Sequence, residues 1–437
     1  MNMQDQLQKL ADAVSALEGS KARARLLQLF DEGTFVEIDR LARDGDKPVE
    51  AVAGYGTVDG SPVYAYAQDR DVCCGAIGRA QGAKIRKVYE LAAQNGAPVV
   101  GVFDSDGAKL GEGIDAMDAI ADILLASNNL SGVVPQIAVV AGACVGSSAI
   151  IAETSDIVVR AADADYYLNP GDDCAEAAVT AADADAAIEK ARDLLRMLPS
   201  NNLTVPVVYE FDSAAMGACE NIAGVIDAAA DTDSVIRLGS GDCETAFARI
   251  GGVACGLVTM AEEKLSCASS SRLARFVRLC DGFSIPVITF VDTAGFACLK
   301  GAAKLSQAYA EATTAKITVL VGKAYGPAYI AVAGKAAGAD AVLAWPTAAI
   351  LPLAPETAIH IFWKDRLAKM TNPPEDRKAL AAEYAETEGS VFAAAAAGEV
   401  TDVVAPADTK AKLMAMLDML SSKRVTRLPK KHSNIQL

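Results

Sequence analysis

The feature that most constrains this chain is a repeat. PVVGVFDSDG from Pro98 matches PVITFVDTAG from Pro286, an offset of 188, and IAVVAGACVG from Ile137 matches ITVLVGKAYG from Ile317, an offset of 180. Each copy reads as a buried strand, a glycine loop, a helix, a second buried strand and a glycine turn into another helix. The strands are continuous apolar runs rich in Val and Ile, as expected of parallel strands covered on both faces. A length of 437 residues suggests two domains or one large one, and the repeat favours two, of α/β class. A single G-x-x-x-G means little, because close packing explains most of them. Two at equivalent places in a long repeat carry more weight.

The turn at Gly142–Gly146 is the candidate site of the first copy. Gly142 and Gly146 are expected to free the backbone for a tight turn, and Ser147 and Ser148 to open a helix. The first N–H groups of a helix have no intrahelical partner and can hold a negatively charged oxygen. Gly326, Pro327 and Ala328 stand at the corresponding places of the second copy, followed by Tyr329 and Ile330.

The other elements place these turns. Helical spacing of Leu7, Leu10, Val14 and Leu17 predicts an N-terminal helix packed on the core. Val52–Thr57 and Pro62–Ala67 read as a hairpin turning at Asp59-Gly60. Helices are expected over 80–94, 114–127, 181–197, 221–229, 270–283 and 302–315. SNNLTVP, residues 200–206, reads as the domain junction. The eight-residue difference between the offsets suggests a shortened segment after DTAGF.

Composition narrows the chemistry. A net charge of −16 argues against nucleic acid as a partner. The ten cysteines are scattered without a CxxC pair and read as reduced core thiols. The N-terminal stretch has no apolar signal core and no run reaches membrane-span length, so a cytoplasmic protein is expected. The two histidines, His360 and His432, lie in no nucleophile motif, which weighs against histidine acid–base catalysis and against a metal site.

AYAQDRDVCCGAIGRAQGAKIRKVYELAAQNGAPVVGVFDSDGAKLGEGI, FVRLCDGFSIPVITFVDTAGF, KAYGPAY, AWPTA and the ending KKHSNIQL resemble the carboxyltransferase subunit of biotin-dependent acyl-CoA carboxylases and decarboxylases, of the propionyl-CoA carboxylase beta and methylmalonyl- or glutaconyl-CoA decarboxylase type. The resemblance runs from about residue 20 to the end. It implies two crotonase-like ββα-superhelix domains in tandem, with an acyl-CoA domain over 1–210 and a biotin domain over 211–437. It also implies a hexamer and biotin on a separate carrier protein, since no biotinylation motif is present here. The partner would be a biotin carboxylase or a membrane decarboxylase subunit, and the KKHSNIQL ending leans toward the decarboxylase type.

Such chemistry develops negative charge on a thioester oxygen and on the biotin ureido oxygen, so it needs N–H donors and not a histidine. By similarity, Gly146 and Ser147 would hold the acyl-CoA carbonyl, and Gly326 and Ala328 the biotin oxygen beside Pro327, Tyr329 and Ile330. Gly107 would line the coenzyme A site. Lys84, Arg86, Lys87 and Lys109 are candidate contacts for its phosphates, a solvated helix face being the plainer reading of the first three.

The sequence departs from the family at these very places. AYGPAY stands for AYGGAY, SDGAK for SGGAR and CGA for GGS, and Ser147 stands where glycine is usual. Proline has no N–H to donate. Ile330 stands where propionyl-type members have an acid, which hints at a different acyl group. The departures leave open a divergent transferase, a catalytically impaired structural paralogue, or a biotin-independent crotonase-type hydrolase or decarboxylase.

Overall fold

The computed structural model describes residues 2–239, 241–370, 372–426 and 429–435. The last two residues of the KKHSNIQL ending lie outside the described residues. The chain divides into two compact units, Met1–Pro206 and Val207–Leu437. The division falls at the end of the SNNLTVP loop.

The first unit is built on an eight-stranded sheet. Strands Ala51–Val58 and Ser61–Gln68 form an antiparallel hairpin, with Tyr55 opposite Tyr64. Asp59 and Gly60 turn it with φ of 50° and 76°, the left-handed pair that matches strand twist. The Asp31 carboxylate fixes that turn by accepting from the N–H groups of Asp59 and Gly60 at 3.0 and 2.9 Å and the Thr57 hydroxyl at 2.8 Å. Strands Val99–Ser105, Gln136–Val145 and Ile157–Ala161 then add in parallel. Helix Arg79–Asn95 makes the crossover into Val99–Ser105, and helix Ile114–Leu130 the next one. Apolar residues at 85, 88, 89 and 92 bury one face of the first helix against Tyr66 and Phe103 of the sheet. Each such fully buried large side chain contributes about 1.5–3 kcal/mol.

The second unit repeats this order on its own eight-stranded sheet. Strands Thr245–Ile250 and Val253–Met260 form the hairpin, followed by parallel strands Val287–Thr293, Lys316–Tyr325 and Ala341–Ala344. The sequence offsets survive as strand register. Val100 faces Ile137, and Ile288 faces Ile317; the register then slips between Phe103 and Ser105 and, identically placed, between Val291 and Thr293.

Several expectations need correction. The N-terminal helix Met3–Ser15 buries no residue, and Leu7 is 56% exposed, so its apolar stripe is not core packing in this chain. Helix Cys267–Gly282 starts three residues earlier than expected because the Ser266 hydroxyl caps it, accepting from Ser269 N–H at 3.1 Å. The helix expected over 221–229 is confined to Val225–Ala229. The shortening of the second copy is not concentrated in the loop after DTAGF. Three of the eight residues are lost there, four from the helix (13 residues in Leu299–Glu311 against 17 in Ile114–Leu130) and one after it. Not all cysteines are free: Cys267 and Cys298 form a disulfide with Cα atoms 5.2 Å apart. A separation of 31 residues carries no sequence signal that would have paired them. Among the described residues, no helix is long and apolar enough to cross a membrane.

Candidate functional site

Gly142 does not turn the chain. Strand Gln136–Val145 runs straight through it, and the turn belongs to Gly146 alone, at φ 60°. A side chain at that φ would be strained, which is why glycine ends the strand. Gly146 N–H donates to the Tyr167 carbonyl at 3.1 Å, and Ile150 N–H donates to the Gly146 carbonyl at 3.3 Å. The latter is the first helical bond, so the N–H groups of Ser147, Ser148 and Ala149 have no acceptor within the helix Ser147–Glu153. The hydroxyl oxygens of Ser147 and Ser148 are buried and have no hydrogen-bond partner among the described residues.

Gly107 comes to the same place. Its φ is 95°, and a Cβ there would stand 3.0 Å from the Val145 carbonyl oxygen and 3.5 Å from Ser147 Oγ. The loop carrying it is held by Ile77 N–H on the Gly107 carbonyl at 2.7 Å and Asp106 N–H on the Cys74 carbonyl at 3.1 Å. Gly107 thus lies beside Ser147, which follows Gly146 in the chain.

The true role of Gly142 is to admit a carboxylate. Asp104, at the register slip, lies 2.3 Å from where a Gly142 Cβ would be. It accepts from Ala143 N–H at 3.2 Å and from Arg25 at 2.7 Å. Arg25 also donates to the Ala141 carbonyl at 3.1 Å. The second unit has the same device: Asp292 lies 2.4 Å from a Gly322 Cβ and accepts from Lys323 N–H at 2.9 Å. These aspartates buttress the strand just before each turn. Sequence reasoning missed them, although an Asp and a Gly recurring at both offsets carried the signal.

In the second unit, strand Lys316–Tyr325 ends at Gly326, φ 42°. Its N–H donates to the Leu351 carbonyl at 2.8 Å, and Ile330 N–H returns to the Gly326 carbonyl at 3.1 Å. Pro327 is exposed and takes the place of Ser147, where proline's missing N–H costs a helix nothing. Ala328 is buried with its N–H at the position of Ser148. Residues Tyr329–Ala333 form one π-helical turn, closed by Gly334 N–H on the Tyr329 carbonyl at 2.9 Å. Single π turns are common at functional sites. Burial and the neighbouring Glu399, 3.1 Å from the Tyr329 hydroxyl, push that phenol up to about 12. Ile330 is 71% exposed. Gly295, the counterpart of Gly107, accepts from Leu265 N–H at 2.9 Å.

The basic residues divide. Lys109 is clasped by Asp44, by Glu50 at 2.6 Å and by Glu112 at 3.1 Å. Burial works against its charge, but these carboxylates outweigh it and raise its pKa. It is already neutralised and offers no open cation to a phosphate. Arg86 pairs with Glu90 and Asp122, and Lys87 with Asp39, as a charged outer face would. Lys84 does not fit that face: it is 5% exposed. Among the described residues, no group of three or more His, Cys, Asp or Glu is placed to hold a metal ion.

Two sheets of this topology, each closing on a strand–glycine–helix turn, define a tandem crotonase-like α/β protein. Transcarboxylase 12S, solved as a hexamer with methylmalonyl-coenzyme A and methylmalonic acid bound, superposes with a TM-score of 0.90 at 29% identity over all of both chains. The Carboxyl transferase domain family matches residues 18–178 and 174–435, and the chain belongs to that family. It is similar to the propionyl-CoA carboxylase beta chain of Saccharopolyspora erythraea, 34% identical over 95% of this chain and 90% of that one. It is equally similar to the methylmalonyl-CoA decarboxylase subunit alpha of Veillonella parvula, 34% identical over 95% and 93%.

Proposed function

We propose that this protein moves a carboxyl group between an acyl-CoA thioester and biotin on a separate carrier protein. The observation that carries the reading is the paired turn: two units, the same register slip, the same Asp-Gly buttress, and a helix opened by unbonded N–H groups in each. A reaction that develops charge on two oxygens calls for two such donors. Ser147, with Gly107 beside it, takes the thioester oxygen and Ala328 the ureido oxygen of biotin, while Gly146 and Gly326, whose N–H groups are bonded to the Tyr167 and Leu351 carbonyls, shape the two turns. The N-terminal unit is accordingly the acyl-CoA domain and the C-terminal unit the biotin domain. The residues fit biotin in the sense that Ala328 and Tyr329 keep N–H groups that the helix does not use. Biotin supplies a ring nitrogen that carries the carboxyl group. This chain supplies orientation and charge stabilisation.

Ile330, exposed beside the second turn, favours an acyl group other than propionyl. The relatives are subunits of carboxylases and decarboxylases, which supports a biotin carboxylase or a membrane decarboxylase subunit as partner and a homohexamer as the assembly. The protein is a cytoplasmic enzyme in this reading.

Pro327 favours two alternatives. It removes the donor that corresponds to Ser147, which fits an impaired paralogue or biotin-independent thioester chemistry. The test is incubation with malonyl-, methylmalonyl- and glutaconyl-CoA plus biotin, followed by mass spectrometry. Carboxyl transfer supports the proposal. Hydrolysis or decarboxylation without biotin, or no reaction by folded protein, refutes it. In an active enzyme, Pro327→Gly restores a donor and raises biotin-dependent turnover; an unchanged rate shows that the second turn is used differently.

A further inference from the structure

The second unit fastens one loop with sulfur where the first uses charge. In the first unit, Ile77 N–H donates to the Gly107 carbonyl at 2.7 Å and Lys109 N–H to the Ile77 carbonyl at 2.9 Å. Glu112 closes the next step, accepting from Arg79 N–H at 2.7 Å. An offset of 188 carries Ile77, Gly107 and Lys109 onto Leu265, Gly295 and Ala297. Leu265 N–H donates to the Gly295 carbonyl and Ala297 N–H to the Leu265 carbonyl, both at 2.9 Å. Arg79 becomes Cys267, and the shorter loop AGFAC, residues 294–298, holds no acid. Cys298, bonded to Cys267, closes the step instead.

What the bond holds lies against the second turn. It joins the first residue of helix Cys267–Gly282 to the N-cap of helix Leu299–Glu311. The latter helix packs on the π-helical turn Tyr329–Ala333. The two helix starts touch: a Cβ on Gly301 would stand 2.8 Å from Ser270 Cβ and 3.4 Å from Cys267 Cα. The bond is within reach of solvent, Cys267 being exposed and Cys298 half-buried. Gly301 N–H donates to Cys298 Sγ at 3.3 Å, so a helix N-terminus is in place to receive negative charge on that sulfur. Disulfides of cytoplasmic proteins are as a rule transient and redox-sensing, because thiols there reduce accessible bonds.

We propose that Cys267 and Cys298 form a reversible redox clasp on residues 294–298, opened and closed by thiol–disulfide exchange with a glutathione-type thiol. A thiolate attacks the exposed Cys267 sulfur, the S–S bond breaks, and its electron pair leaves on Cys298 Sγ, which takes up a proton. A second thiolate attacks the mixed disulfide and frees Cys267. Two small thiols are oxidised to one disulfide, and the protein bond is reduced to two thiols; the reverse sequence closes the clasp. Closed, the bond fixes the start of the helix that backs the second turn. Open, the loop keeps only its hydrogen bonds. The consequence for catalysis rests on the carboxyl-transfer reading; the clasp itself does not.

The test equilibrates the full chain in mixtures of reduced and oxidised glutathione. Free thiols are trapped by alkylation, the 267–298 pair is read by peptide mass spectrometry, and amide hydrogen exchange is followed over residues 294–301. The bonded fraction should fall and recover with the glutathione ratio, and these amides should exchange several-fold faster when the bond is open. Cys298→Ser, which keeps an N-cap oxygen, should exchange at the open rate in every mixture. A pair that stays bonded in excess reduced glutathione while the protein is folded overturns the proposal, as does one that never bonds in oxidised glutathione. Exchange that ignores the state of the bond overturns it too. Carboxyl transfer to biotin should fall several-fold on opening, and transfer that is equal in both states overturns the regulatory role. Exchange that responds, with no transfer in either state, supports the clasp and refutes the carboxyl-transfer reading instead.

Discussion

Ser147→Pro transplants the second unit's turn into the first. The two turns differ in one atom of consequence, the N–H at the first helical position, present at Ser147 and absent at Pro327. The substitution should be structurally mild. Ser147 N–H bonds to no acceptor among the described residues. Proline is favoured at the first helical position, and the unit's own repeat already holds one there. Gly107, lacking a Cβ, leaves open the space 3.7 Å from Ser147 N. Stability should therefore change by less than about 1 kcal/mol. The catalytic effect should be large, because loss of one oxyanion donor costs about 10²–10³ in rate, or about 2.7–4 kcal/mol. The assay is the carboxyl-exchange rate at saturating acyl-CoA, with acyl-CoA affinity measured separately by calorimetry. The expected pattern is a fall in kcat by two to three orders of magnitude with little change in affinity. A folded variant that turns over at the wild-type rate would refute the assignment of Ser147 N–H as a donor.

Gly142→Ala should destabilise the first unit by about 2–5 kcal/mol, because the methyl displaces Asp104 from Ala143 and Arg25; urea unfolding checks this, and a loss below about 0.5 kcal/mol would sink the buttress. Cys267→Ser should cost the second unit about 3–4 kcal/mol by opening a 31-residue loop. Reductant should destabilise the wild type similarly and leave the variant unaffected, as followed by denaturation in both conditions. Asp31 predicts an acid dependence. Burial alone would raise its pKa, but bonds from Gly60, Thr57, Asp59 and Arg192 hold it at about 2 against an ordinary 3.8. A carboxylate depressed in the folded state stabilises fully above its unfolded value and loses that contribution as pH falls from about 4 toward 2. Asp31→Asn should flatten this stretch of the stability profile, and an unchanged profile would contradict it.

The fold was legible because the repeat and the apolar runs state it twice. Residues Pro98–Phe103 and Pro286–Val291 announce buried parallel strands by composition alone, and the offsets of 188 and 180 recur as register between neighbouring strands. The turn at Gly146 was legible because a glycine closing an apolar strand stands out, whereas Gly107 was set beside it only by the family resemblance. What escaped reading depends on distance through space. Gly142 looked like a second hinge because a glycine that gives way to a carboxylate and a glycine that turns are the same letter. Lys84 looked solvated because Arg86 and Lys87 are, but two positions along a helix turn a side chain by about 200°, which sets Lys84 opposite Arg86. Lys109 looked open to a phosphate because the acids that clasp it come from residues 44, 50 and 112. The apolar stripe of Met3–Ser15 read as core packing, but helical spacing alone does not supply a surface to pack on, and the helix buries no residue.

The most direct test follows one labelled carboxyl carbon. The protein is supplied with malonyl-, methylmalonyl- or glutaconyl-CoA labelled in the free carboxyl group, together with a biotinylated carrier domain, and the label is located by mass spectrometry. Label arriving on the carrier's biotin, and lost from it when Ser147→Pro replaces the wild type, is the result this account predicts. Label that remains on the thioester or leaves as free carbon dioxide without reaching biotin contradicts it.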